Sequence, residues 1–105
     1  MMERIEKLLS YLEQSPKDYF LRHALALEYI KIGEVLKASQ LFENILAENP
    51  AYIGSYYHLA KLLESMNETK AAISCYKKGM QAADKSGDLH SFNELKSAYQ
   101  ELTMD

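Results

Sequence analysis

The sequence predicts an all-α protein in which helix pairs stack in a row. Apolar residues recur at spacings of three and four along most of the chain, the signature of amphipathic helices. Proline and glycine fall between these apolar stripes, where helices must end. No segment alternates apolar and polar residues as a half-buried strand would.

The first stripe is Ile5, Leu8, Leu9 and Leu12. Ser15-Pro16 interrupts it, because proline disfavours helical backbone in the residue before it. The second runs through Leu21, Leu25, Tyr29 and Ile32 to Gly33, which supplies the left-handed backbone a helix end often needs. The third holds Leu41, Phe42, Ile45 and Leu46 and stops at Asn49-Pro50. The fourth holds Tyr56, Leu59, Ala60 and Leu63 and breaks near Asn67. The fifth, with Ala72, Ile73, Tyr76 and Met80, ends at Ser86-Gly87. The last begins near Asp88 and carries Leu89, Phe92, Leu95, Tyr99 and Leu102. Asp88 or Ser91 caps it, and Ser91 with Glu94 has capping-box spacing. The expected helices span roughly 3–14, 18–32, 35–48, 52–66, 69–85 and 88–103.

At 105 residues the chain suits one domain, and 48% hydrophobic content is enough for a core without covalent staples. The formal net charge of −3 argues against nucleic-acid binding, which needs a concentrated positive footprint. A single cysteine, Cys75, excludes an internal disulfide framework and a cysteine-rich zinc site. The opening residues, Met1-Met2-Glu3-Arg4-Ile5-Glu6, are charged, and no long apolar run follows. Neither a signal peptide nor a membrane span is expected, which makes a cytoplasmic location the default.

The paired helices invite a test for internal repetition. A shift of 34 residues lays Leu25 on Leu59, Ala26 on Ala60, Tyr29 on Leu63, Ala38 on Ala72 and Phe42 on Tyr76. Identity is low, but size and polarity agree where helices must touch. The alanines let neighbouring helices approach closely, and larger residues there would overpack the contact.

This spacing resembles the tetratricopeptide repeat family, whose pattern reads W-x₂-L-G-x₂-Y…A-x₃-F…P over 34 residues. In a first repeat the places are taken by Arg22, Leu25, Ala26, Tyr29, Ala38, Phe42 and Pro50. In a second they are taken by Tyr56, Leu59, Ala60, Leu63, Ala72 and Tyr76, with Asp84 where proline is usual. Pro16 stands one period before Pro50. The resemblance implies a right-handed α-α superhelix in one domain. Its parts would be a half-repeat helix at 1–16, repeats at 18–51 and 52–85, and a capping helix at 88–105.

Catalytic and metal chemistry find little support in the residues. His23 and His58 have no His, Asp or Glu three or four residues away, and His90 with Glu94 gives only two of the ligands a zinc site needs. Cys75 lies mid-helix and reads as a buried, inert thiol. No glycine-rich phosphate loop is present. Lys61, Lys70, Lys77, Lys78 and Lys85 sit among Glu64, Glu68 and Asp84 and read as a solvated face. No enzyme activity, metal or cofactor is therefore expected.

Eight tyrosines remain to be placed. Tyr29 and Tyr76 occupy core places of the repeat, whereas Tyr19, Tyr52, Tyr56 and Tyr57 gather where the first helix of each repeat begins. In the family that this sequence resembles, the first helix of each repeat lines a concave face. That implies a groove of Phe20, His23, Leu27, Ile30 and Lys31 from one repeat, joined by Tyr57, Lys61 and Glu64 from the next. These residues also lie off the packing stripes. Some relatives grip a chaperone's carboxylate tail with Lys and Asn at such places. Here His23, Leu27, Tyr57 and Lys61 stand there, and only Lys61 resembles that clamp. The expectation is a non-enzymatic interaction module whose groove takes a peptide or partner helix with hydrophobic anchors. The alternative is a structural module that associates weakly with its own copies.

Overall fold

The computed structural model describes residues 2–104; Met1 and Asp105, the outermost residues of the first and last expected segments, lie outside them. Six helices follow one another: α1 (Met2–Gln14), α2 (Tyr19–Lys31), α3 (Val35–Glu48), α4 (Gly54–Ser65), α5 (Thr69–Ser86) and α6 (Leu89–Thr103). The described residues contain no strand.

Local chemistry sets the helix ends. The carboxylate of Asp18 accepts a hydrogen bond from the Leu21 amide at 2.9 Å, and Asp88 accepts from the Ser91 amide at 3.0 Å. Each satisfies an amide that the first helical turn leaves without a partner. At the base of α6 the cap is thus Asp88, not Ser91. Three ends use a left-handed residue: Gly33 (φ 80°), Asn67 (φ 60°) and Gly87 (φ 76°). After each, the next amide reaches back to a carbonyl of the last turn: Glu34 to Tyr29, Glu68 to Leu63 and Asp88 to Ala83, at 2.9, 2.8 and 2.9 Å. This closure satisfies carbonyls that would otherwise face no donor. α4 starts two residues later than the apolar pattern suggests. A turn in which the Tyr52 amide bonds the Asn49 carbonyl at 3.0 Å occupies the stretch after Pro50.

Each helix packs on its neighbours in the chain, α1 on α2 and so on to α6, giving a body of 43 × 29 × 20 Å. Two cores result. The larger includes Ala26, Ala38, Phe42, Tyr56, Leu59, Ala60, Leu63, Ala72 and Tyr76. The smaller joins Ile5 and Leu8 of α1 to Leu25 of α2. Tyr29 is half-buried and touches both. Ala26, Ala38, Ala60 and Ala72 have no exposed surface, so nothing larger fits without moving a helix.

One charged residue enters this packing. Arg22, at the tryptophan place of the repeat pattern, is 8% exposed. Its guanidinium donates to both carboxylate oxygens of Glu48, at the end of α3, at 3.1 and 3.0 Å. It also lies 5.5 Å from the ring of Tyr19. A forked, planar donor of this kind suits a bidentate carboxylate and an aromatic face together.

Candidate partner-binding groove

α2 buries Leu25 and Ala26 and turns another face outward. Phe20, His23, Leu27, Ile30 and Lys31 recur on that face at helical spacing and line an open hollow of about 580 Å³, together with Ala24 and Glu28. Arg4 of α1 and His58 of α4 complete its wall. Phe20 is 70% exposed. Leu27 and Ile30 rest partly on the larger core, so they belong to packing and hollow at once.

The charges of the hollow meet at one carboxylate. Glu28 is buried, and its Oε2 accepts from Lys31 Nζ at 3.0 Å and from Arg4 Nε at 3.1 Å. The hydrogen bond from Lys31, reinforced by Arg4, holds this carboxyl below the usual range despite burial. One carboxylate thus serves two exposed cations, which leaves a net single positive charge on the wall beside its apolar side chains.

His23 and His58 meet across α2 and α4 with ring centres 5.4 Å apart, edge to face. His23 Nδ1 shares a 2.9 Å hydrogen bond with Ser55 Oγ, and its ring packs against Phe42 at 5.3 Å and Tyr52 at 5.9 Å. Burial, with His58 alongside, pushes the His23 imidazole down to about 4. Burial lowers His58 as well, and Glu94 of α6 partly opposes it. At neutral pH both rings are uncharged.

Tyr57, Lys61 and Glu64 are also on α4 but do not line this hollow. They make a set of their own. Lys61 Nζ lies 5.8 Å from the centre of the Tyr57 ring and 3.8 Å from Glu64 Oε2. Glu64 also accepts a hydrogen bond from the hydroxyl of Tyr76 on α5, which draws it toward the core. His58 links the two sets, because Tyr57 packs edge-on against it at 5.7 Å.

Arg4, Glu28 and His58 escaped the sequence reading. Of their contacts only Glu28–Lys31 has a local, three-residue spacing that could have signalled it; the Arg4–Glu28 and His23–His58 contacts join different helices and leave no local trace. His90 and Glu94, four residues apart, form no ion pair among the described residues, and no group of three metal-ligating side chains is found among them. Cys75 is 7% exposed, its Sγ donates to the Tyr56 carbonyl at 3.4 Å, and burial pushes its thiol up to about 12. A thiol in that state supplies no thiolate at neutral pH.

A tetratricopeptide repeat domain protein from Salinibacter ruber, solved by NMR, is 38% identical over 84% of this chain and 89% of its own, with a TM-score of 0.81. The chain belongs to the tetratricopeptide repeat family. The tetratricopeptide repeat family model matches residues 53–86, the stretch that contains α4 and α5. A Bordetella parapertussis protein matches this tetratricopeptide repeat protein at 24% identity over 93% of this chain and 85% of its own, TM-score 0.81. The TPR2B domain of yeast Sti1, solved in complex with pHsp70, shares the fold at 13% identity, covering 94% and 79% of the two chains with a TM-score of 0.86. No curated protein sequence matches the chain. The six helices thus form the all-α superhelix of tetratricopeptide proteins, a scaffold for protein–protein interaction. None of its described helices is long and apolar enough to cross a membrane.

Proposed function

We propose that this tetratricopeptide repeat protein is a non-enzymatic binding module that takes a partner peptide or helix in the hollow beside α2. The observation that carries this reading is Phe20. An aromatic ring 70% exposed at the wall of a concave surface, continuous with Leu27 and Ile30, is what an interaction site offers and a solvated face does not. Phe20, Leu27 and Ile30 make the partner's anchor apolar, and the single net positive charge left by Arg4, Lys31 and Glu28 stands at its edge. The neutral His58 and the ring of Tyr57 extend the surface along α4, with Lys61 and Glu64 at its polar end. In this reading residues 18–51 and 52–85 are the two complete repeats, 1–16 a half-repeat, and 88–105 a cap. Binding needs no nucleic acid, membrane or cofactor.

The test is capture of a partner from the source cell with the intact chain, followed by calorimetry of Phe20→Ala, Leu27→Ala, Tyr57→Ala and Lys70→Ala after each is shown to remain helical. Truncation of Phe20 or Leu27 is expected to weaken binding by about 2 kcal/mol, with Lys70→Ala near wild type. An apolar anchor also predicts affinity that changes little with salt. Wild-type affinity in the Phe20 and Leu27 variants would sink the assignment.

A further inference from the structure

The stack carries a second groove, which shares no lining residue with the hollow beside α2. Two hollows of about 610 and 470 Å³ share Pro50, Tyr56 and Lys78 and so form one trough. One wall is the end of α3 and the turn after it. The other is the face of α5 bearing Ala71, Ser74, Lys78, Ala82 and Lys85. Its small side chains leave room for a helix to lie close, and its two lysines stand seven residues apart, about 10.5 Å along the axis. Both are exposed, and neither joins an ion pair among the described residues; the trough also carries one carboxylate, Glu43 on α3, so its net charge is +1.

At the other end of the molecule α1 packs on its neighbour through Ile5 and Leu8 and leaves a flank uncovered. Met2, Glu6, Leu9 and Glu13 follow one another on that flank at spacings of four, three and four. Met2 is 59% and Leu9 43% exposed. Glu6 and Glu13 are exposed, join no ion pair among the described residues, and also stand seven residues apart. The flank therefore presents Leu9 between two carboxylates and Met2 one turn before them, and the carboxylate spacing repeats that of Lys78 and Lys85.

We propose that the trough between α3 and α5 receives α1 of a second copy of this chain, with Glu6 and Glu13 facing Lys78 and Lys85, Leu9 against Ala82 between them, and Met2 beyond Lys78 against Ser74. The contact is head-to-tail, so each assembly keeps one free α1 and one free trough at its ends. It leaves Phe20 and the hollow beside α2 open, and it stands or falls separately from the function proposed above.

Sedimentation velocity on the full chain from about 10 μM to about 1 mM, the range of weak association, tests this. Average mass is expected to rise with concentration and to rise less in high salt. Glu6→Lys with Glu13→Lys, and Lys78→Glu with Lys85→Glu, should each remain monomeric. The variant carrying all four changes should associate again, because the charges are exchanged rather than lost. Circular dichroism checks that each variant is helical. Should a reversed variant fail to fold, the neutral pairs Glu6→Gln with Glu13→Gln and Lys78→Gln with Lys85→Gln must weaken association. A monomer at every concentration, association indifferent to either pair, or no recovery in the fourfold variant overturns the proposal.

Discussion

Gly79 sits in the middle of α5, where glycine costs a helix stability, and its value lies in the atoms around it. A Cβ built there would stand 2.7 Å from Tyr56 Cβ and 3.0 Å from Leu95 Cδ1. The 34-residue shift pairs Gly79 with Ile45, which is fully buried in the first repeat. At Gly79 the room for a side chain is taken by Tyr56 of α4 and by Leu95 of α6, itself 1% exposed. By repeat position a bulky residue would stand here, and the close approach of α4 and α6 explains its absence. Gly79→Ala gains helix propensity but must force α5 from α4. We expect a net loss of about 1–3 kcal/mol, read from a lowered denaturation midpoint at unchanged slope. A variant as stable as wild type would mean that the close approach is not real.

At the level of elements, helix number and ends were legible because they follow from local chemistry. Gly33, Asn49-Pro50 and Gly87 stop helices by their own backbone preferences, so those boundaries fell within two residues of the observed ones. What joins one element to another was not legible. Arg22 departed from the repeat pattern in sequence, and its partner Glu48 lies 26 residues away on another helix. The same holds for the hollow: five of its residues share one face of α2 and could be read by periodicity, whereas Arg4 and His58 come from other helices. The Arg22–Glu48 pair gives a test at this scale. Glu48→Ala strands a buried guanidinium and should lower the denaturation midpoint, although Glu48 itself is nearly half exposed. Adding Arg22→Met to that variant should recover stability, because the uncompensated charge is gone. Equal losses in the single and double variants would show that the ion pair is not what the site depends on.

For the molecule as a whole, acid acts in two stages. An unfolded His23 takes its proton near 6.5, whereas the folded one resists until about 4. Between those values the unfolded chain binds more protons, so stability falls as pH drops through that window. The slope from one such group is at most about 1.4 kcal/mol per pH unit. His58 acts in the same direction. Below about 4.3, the ordinary value for a glutamate, Glu28 and Glu48 add a second loss, because their ion pairs hold both carboxyls below that range. Thermal midpoints measured from pH 7 to 3 should decline in both intervals, and His23→Gln should flatten the upper one. A profile unchanged by that substitution would show that His23 does not titrate differently on folding.

The division of the interior into two cores has a kinetic counterpart. α1 is held through Ile5, Leu8 and Leu25, and α2 is its main neighbour, so it can detach while the larger core stays intact. α4 and α5 are packed from both sides and cannot open without most of the stack. Native-state amide exchange should therefore be graded along the chain. The amides of α1 should exchange at a free energy well below that of global unfolding, with little dependence on denaturant. Those around Leu59, Ala60 and Tyr76 should exchange only when the whole chain unfolds. Uniform protection from α1 to α5 would mean that the two cores open as one cooperative unit.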